Sequence, residues 1–308
     1  MAADDVIGKI AFQAPDEGTG TDAILVSGAI QAVAEGDHSS SSNATRLEFM
    51  TGASEAATAK MSISSGGIVG MGAVPTGDLG VGLHIKTADS SASVSANADE
   101  LVIEGSGNAG ITIASGNTSG GNIFFADDGG VQRGKVAYDH NADSMTLRSG
   151  NNDSLIIDSA GHVTKPLQPS FHCVKNGTAS DVTGDGTVYT IAGWTETIDR
   201  NADFNNTSGV FTAPVTGLYL LTAEVYIQGM DSSHSDNSVY FYSSNRNYGF
   251  LGVTTQSTSG HTGDFQVNGS MIVDMDASDT VSVRVDFRSS SKIIDIHDSS
   301  KFMGMLLA

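Results

Sequence analysis

An all-β fold is what this sequence predicts, on three observations. Apolar residues recur in pairs at alternate positions about every ten residues through 97–165, with Gly, Asn, Asp and Ser between the pairs. Glycine is abundant, at 37 of 308 residues, while aromatic residues make up only 6%, so the chain has many turns and few large core side chains. Residues 203–227 alternate short strands with a proline and Gly turns, the pattern of the inner layer of an antiparallel sandwich. The recurring pairs give each strand about two large inward residues, too few for a core of its own. Sharing one core among identical chains around a threefold axis is the physical remedy; a single-chain sheet or β-helix is the alternative. The predicted class is an intertwined trimeric β stalk with a C-terminal β-sandwich head. It divides into an N-terminal stalk segment (1–75), a repetitive short-strand stalk (76–165) and the head (166–308).

The first segment opens with a strand at 6–12, where Ile10 and Phe12 share a face. Pro15 to Gly18 reads as a turn and 23–26 as the strand resumed. Residues 28–35 have the propensity of a short helix, though too short a one to stand alone. Strands follow at 46–49 and 61–64, joined by an Ala-rich polar connection. The stretch 61–69, followed by Pro75, parallels 155–163, followed by Pro166, and each copy comes after a strand. This weak internal repeat points to a modular stalk. The pairs themselves are Leu101/Ile103, Ile111/Ile113, Ile123/Phe125, Val136/Tyr138, Met145/Leu147 and Leu155/Ile157. Two prolines within 165–169 stiffen the passage into the head. Within the stalk, Ser65-Gly66-Gly67-Ile68-Val69-Gly70-Met71-Gly72, then Pro75 and Leu83-His84-Ile85, resembles the turn-and-strand unit of phage tail fibres. Gly67 stands where those fibres usually have Asn, and both residues tolerate a left-handed turn.

In the head, Phe204 precedes an Asn-Asn-Thr-Ser-Gly turn, and a short strand at 210–213 is ended by Pro214, which removes the ladder donor. After the Thr216-Gly217 turn, 218–227 is a longer strand with Tyr219, Leu221, Ala223, Val225 and Ile227 on one face. Phe204, Gly209, Phe211, Ala213, Pro214, Gly217 and Tyr219 resemble the Phe, Gly-x-Phe, Ala-Pro, Gly-x-Tyr pattern of the complement globular head, a jelly roll shared with the tumour necrosis factors. Residues 269–275 and 279–283 resemble that family's strands on either side of a Gly-Asp turn, with Ser278 in place of the glycine. Phe302-Met303-Gly304-Met305-Leu306 is similar to its closing Phe-x-Gly-x-Leu strand. The resemblance spans 169–308 and implies a jelly-roll head, a homotrimer and a binding role. Cys173 is the only cysteine, so no intrachain disulfide forms, and it reads as a small buried hydrophobe on the first sandwich strand.

A net charge of −20 disfavours nucleic acid as a partner. There is no apolar run of membrane-spanning length and no charged-then-apolar leader. GxxxxGK, GxSxG and HExxH motifs are absent. Residues 182–187 lack the later acidic ligands of a calcium loop and read as a hairpin turn. The eight histidines are scattered; His84 and His297 are the two that a threefold axis would gather into a metal or anion site. The many Asp carboxylates are hard oxygen ligands, so calcium is the cofactor the composition points to, with no ligand set assigned. Glycan cleavage needs two carboxylates at a set spacing, and none can be paired from the sequence, so no catalytic residue is assigned. Receptor contact is expected on head loops at 229–238, 243–249 and 254–264. His234, Arg246, Tyr248 and His261 are its candidate residues. Arg246 with Tyr248 leads them, since an Arg beside an aromatic stacks on a sugar ring and hydrogen-bonds its hydroxyls. The resulting reading is a homotrimeric phage fibre on the virion, non-enzymatic, made in the host cytoplasm without a signal peptide. It would bind other tail or capsid proteins and attach to a bacterial surface glycan or protein receptor. A purely structural virion spike or collar fibre, a glycan-cutting tailspike and a bacterial surface adhesin are the alternatives.

Overall fold

The computed structural model describes residues 1–14, 18–72, 82–253 and 263–308. The turn expected at Pro15 to Glu17, and Pro75 of the stalk repeat, lie outside the described residues. Every regular element among them is a β-strand, as the apolar alternation requires. The chain divides into two units, Met1–Ile113 and Ala114–Ala308.

The first unit is one seven-stranded sheet in chain order: β1 (Val6–Phe12), β2 (Gly28–Ala34), β3 (Thr45–Thr51), β4 (Thr58–Ile63), β5 (Val69–Gly72), β6 (Leu83–Lys86) and β7 (Leu101–Glu104). Neighbours are antiparallel as far as β5, whereas β5, β6 and β7 run parallel. β5 and β6 thus pair across the segment holding the boundary drawn at residue 75. Three expectations are corrected. Residues 28–35 are not helical, because β2 is hydrogen-bonded to β1 on one edge and β3 on the other, and sheet pairing outweighs a weak local preference. Residues 23–26 form no strand: the chain turns there, with the Leu25 N–H donating to the Asp22 carbonyl at 3.1 Å. Ile111 and Ile113 also form none and stand exposed, in a glycine-rich stretch that no strand among the described residues pairs.

Register decides the two faces of this sheet. Ile10, Ile30, Phe49, Met61 and Met71 lie across from one another in sequence of pairing, as do Leu47, Ile63, Val69, Leu83 and Leu101. That apolar face is open: Ile10 is 63% and Leu101 52% exposed. The reverse face is polar yet better covered. Gln31 donates to Glu48 at 2.6 Å, and Arg46 pairs with Glu48 at 2.8 Å and Asp4 at 3.0 Å. His84 is fully buried, its Nε2 2.9 Å from Glu104 Oε2. The Glu104 carboxylate accepts the Ser90 N–H at 2.7 Å and hydroxyl at 2.9 Å and lies 3.3 Å from Lys86 Nζ.

The Ser90 N–H, then its hydroxyl and Lys86, hold the Glu104 carboxyl down to about 2, against burial, which pushes it up. A carboxyl depressed in the folded state contributes stability that is complete above its ordinary value of 4.5 and is lost as pH falls toward 2. Melting of the first unit is therefore expected to drop across that window. The Glu104→Gln variant should show a flatter profile there, as followed by circular dichroism at stepped pH.

The second unit begins with an antiparallel meander: β8 (Gly120–Asp127), β9 (Gly130–Asp139), β10 (Ser144–Ser149), β11 (Asn152–Ile157) and β12 (Val163–Thr164). Its faces repeat the same division. Ile123, Val136, Leu147 and Leu155 line up across strands beside Tyr138, Met145, Ile157 and Val163, and much of this apolar face is exposed. The opposite face carries Asp153 between Arg148 at 2.7 Å and Lys135 at 3.4 Å.

The head follows, in β13 (Ser170–Lys175), β14 (Ala179–Thr183), β15 (Val188–Thr190), β16 (Trp194–Arg200), β17 (Phe204–Asn205), β18 (Val210–Thr212), β19 (Gly217–Met230), β20 (Ser235–Ser243), β21 (Asn247–Val253), β22 (Gly263–Met275), β23 (Thr280–Arg288), β24 (Ile294–Ile296) and β25 (Lys301–Leu306). Two antiparallel sheets face each other. One runs β22, β19, β25, β13, β16, with β24 and β14 continuing beside the far end of β19; the other runs β17, β18, β23, β20, β21, with β15 on the edge of β23. The stretch 182–187 is a turn, as expected, but not a hairpin: β14 pairs with β24 in one sheet and β15 with β23 in the other.

The inward face of β19 is buried at Tyr219, Leu221, Ala223, Val225 and Ile227, as its alternation predicts. The closing strand β25 lies between β13 and β19, and Phe302 sits among Phe171, Phe204, Phe241 and Trp194, with centroid distances of 4.9 to 6.3 Å. Two motif glycines have direct steric reasons. Gly209 has φ +73, and a Cβ there would collide with the Ile191 carbonyl; a Cβ on Gly304 would stand 2.6 Å from Phe171 and 2.8 Å from Leu221. Ser278, in the place of the family's turn glycine, takes the same left-handed conformation, with φ 76. Cys173 is buried on β13, its thiol donating to the Phe302 carbonyl at 3.1 Å, and burial pushes that thiol up.

Candidate functional site

The outward face of the second head sheet gathers two tyrosines, two arginines and an aspartate. Alternation sends Val239 and Phe241 of β20 into the core and Tyr240 and Tyr242 out. On β23 it buries Val283, Val285 and Phe287 and turns Ser282, Arg284, Asp286 and Arg288 to the other side. Cross-strand register then sets Tyr242 opposite Ser282, Tyr240 opposite Arg284, and Ser238 opposite Asp286. Across the other edge of β20, Asn247 faces Tyr242 and Gly249 faces Tyr240. The guanidinium carbon of Arg284 lies 3.4 Å from the Tyr242 ring centroid, a cation–π contact. Among the described residues no carboxylate pairs with Arg284, and its Nε is closed off from solvent without a hydrogen-bond partner. Asp286 is 4% exposed. Its Oδ2 accepts from Arg288 Nε at 3.0 Å and Nη2 at 2.5 Å, while its Oδ1 has no partner among the described residues. Burial pushes the Tyr240 phenol up; the Arg284 charge opposes that shift and the Asp286 charge adds to it.

The β20–β21 turn is tied to the sheet by Asp279, whose carboxylate accepts the Ser244 hydroxyl at 2.8 Å and the Asn245 amide. The Ser244 hydroxyl and the Asp276 N–H hold the Asp279 carboxyl below the ordinary range. Arg246 projects from this turn, exposed, with its guanidinium carbon 5.8 Å from the Tyr248 ring centroid. Tyr248 lies opposite Phe241 and packs against the core, so only Arg246 of this pair is freely presented.

His234 is a correction. It is fully buried, with Nδ1 3.1 Å from the Asp231 N–H nitrogen and 3.0 Å from its carboxylate, and Nε2 3.4 Å from the Ser291 carbonyl. Its contacts brace the 231–234 turn, and its side chain is not on the exposed surface where the loop reading placed it. His261 lies outside the described residues. Among the described residues, no three His, Cys, Asp or Glu side chains come together as a metal set. His84 bonds Glu104; His297 packs against Tyr226 with tilted rings, centroids 4.9 Å apart, and bonds Ser299 at 2.9 Å. The Tyr240, Tyr242, Arg284 and Asp286 constellation is not among the candidates the sequence offers. The alternation in 238–242 and 281–288 was visible as a signal, but the register joining the two strands was not.

Residues 184–307 match the family profile of the C1q domain. Among solved structures, the chain is similar to murine APRIL (14% identity, 46% of this chain and 99% of that one, TM-score 0.33). It is also similar to the globular domain of zebrafish complement 1qA (17%, 46% and 98%, TM-score 0.32) and to the Eiger tumour necrosis factor of S. frugiperda (14%, 46% and 94%, TM-score 0.34). No curated protein matches the sequence. The C-terminal region folds as a β-sandwich of two antiparallel sheets and matches the C1q domain profile over 184–307.

Proposed function

We propose that this chain is a homotrimeric, non-enzymatic attachment protein, a phage fibre whose stalk carries a C1q-like head to a bacterial surface receptor. The observation that carries the reading is the uncovered apolar face repeated in three sheets. Two belong to the stalk. The third is the outer side of the β22–β16 head sheet, where Ile272, Leu218, Met305 and Ile198 are exposed. An apolar cleft of about 1070 Å³ runs along it, lined by Val163, Ile198, Leu220, Met305 and Leu307 among others. Apolar surface of this extent is expected to be buried against further copies. The number three comes from the head's family, and the phage setting from the resemblance of 65–85 to tail-fibre units. Calcium enters the same proposal as a bridge between the facing carboxylates of acidic protomers.

Binding of the labelled full chain to bacterial cells tests the attachment role. Saturable binding is expected, about tenfold weaker in Arg246→Ala, the size of a contact residue's loss. Tyr248 is left intact because its substitution would disturb the core. A folded oligomer that binds no cells would favour the structural spike.

A further inference from the structure

Three of the chain's seven arginines, in a protein of net charge −20, lie on one head sheet or its turn: Arg246, Arg284 and Arg288. Arg284 is the unusual one. A half-buried guanidinium normally meets a carboxylate, yet among the described residues this one lies over the Tyr242 ring and bonds Tyr240, with no carboxylate partner and its Nε without an acceptor. Two residues along the same strand face, about 7 Å away, Asp286 keeps one carboxylate oxygen without a donor. Tyr240 lies opposite Arg284, and the flank of that tyrosine is open: a Cβ built on Gly249 meets nothing within 4 Å. A sealed-off donor on Arg284 and a buried acceptor on Asp286, each without a partner, cost stability, so the pair marks groups a ligand would complete.

We propose that the Tyr240–Tyr242–Arg284–Asp286 face binds an acidic saccharide, with a sugar carboxylate on Arg284 and a ring hydroxyl donating to Asp286. The guanidinium fork matches a carboxylate in two parallel hydrogen bonds. A hydroxyl supplies the donor that Asp286 lacks, and a sugar ring spans the separation between the two. Tyr240 gives the ring an apolar face to lie on. Arg288, whose side chain is 51% exposed, must swing aside for the hydroxyl to reach Oδ1. The inference rests on the attachment reading and names the chemistry of its receptor.

The test is calorimetric titration of the full-length protein with a short oligogalacturonate, a neutral cello-oligosaccharide and inorganic phosphate. Oligogalacturonate is expected to bind, the neutral sugar to bind at least about tenfold more weakly, and Arg284→Gln to lose about tenfold in affinity. Arg284→Lys should recover part of that loss. Gly249→Leu should block binding by bulk alone, without altering any charge. Unchanged oligogalacturonate binding in folded Arg284→Gln, or no binding by the native protein, would overturn the assignment. So would equal competition by phosphate, since the anion alone would then be read. Each of these leaves cell attachment to be judged by its own assay, so the two readings fail separately.

Discussion

Phe302→Ala is expected to destabilise the head by about 3–5 kcal/mol, the usual loss for a fully buried phenylalanine. Phe302 has no exposure and contacts rings from both sheets: Phe171 of β13 and Trp194 of β16 on one side, Phe204 of β17 and Phe241 of β20 on the other. The strand carrying it is central, so the cavity cannot close by moving an edge. At Gly304, two residues on, even an added Cβ would strike Phe171 and Leu221, so the space beside β25 is already filled. Leu306→Ala is expected to cost less, because Leu306 only flanks the core. Denaturant melts of the two variants measure the contrast. A Phe302→Ala loss below that of Leu306→Ala would mean that the closing strand does not organise the core.

How much of this was legible follows from the range of each interaction. The strand β19 and its buried face were readable because alternation is local, and Tyr219 to Ile227 repeat it without a break. The glycines at 209 and 304 were recognised through a family pattern; their reason, a backbone carbonyl in one case and two side chains in the other, needed the fold. Residues 28–35 misled because local preference competes with pairing to β1 and β3, whose registers no short window contains. His234 misled for a similar cause. Its loop is rich in small polar residues, the mark of an exposed turn, yet the ring is drawn inward by Asp231 and Ser291, the latter 57 residues away. The Arg284 face escaped notice because its parts lie on β20 and β23, more than 40 residues apart. Arg246 was legible because a turn residue is exposed whatever packs elsewhere.

Ile272→Asp is expected to convert the oligomer into monomers without unfolding the head, whereas Val188→Asp leaves the oligomer intact. Both are exposed apolar residues of one protomer, at 57% and 46%, so solvation of the isolated chain treats them alike. They differ in the sheet that carries them. Ile272 lies opposite Leu220 on β19, within the open apolar face that the proposed trimer buries; Val188 lies opposite Asp286 on the other sheet. A carboxylate placed at Ile272 would be carried into that interface once per protomer, near its own copies. An uncompensated buried charge costs about 3–5 kcal/mol, enough to shift association by several decades. High salt is expected to restore little of the assembly, because desolvation rather than long-range repulsion dominates the loss. Sedimentation velocity at micromolar concentration, with circular dichroism to verify folding, reads the result. Monomers from both variants, or trimers from both, would place the shared surface elsewhere than on the β22–β16 sheet.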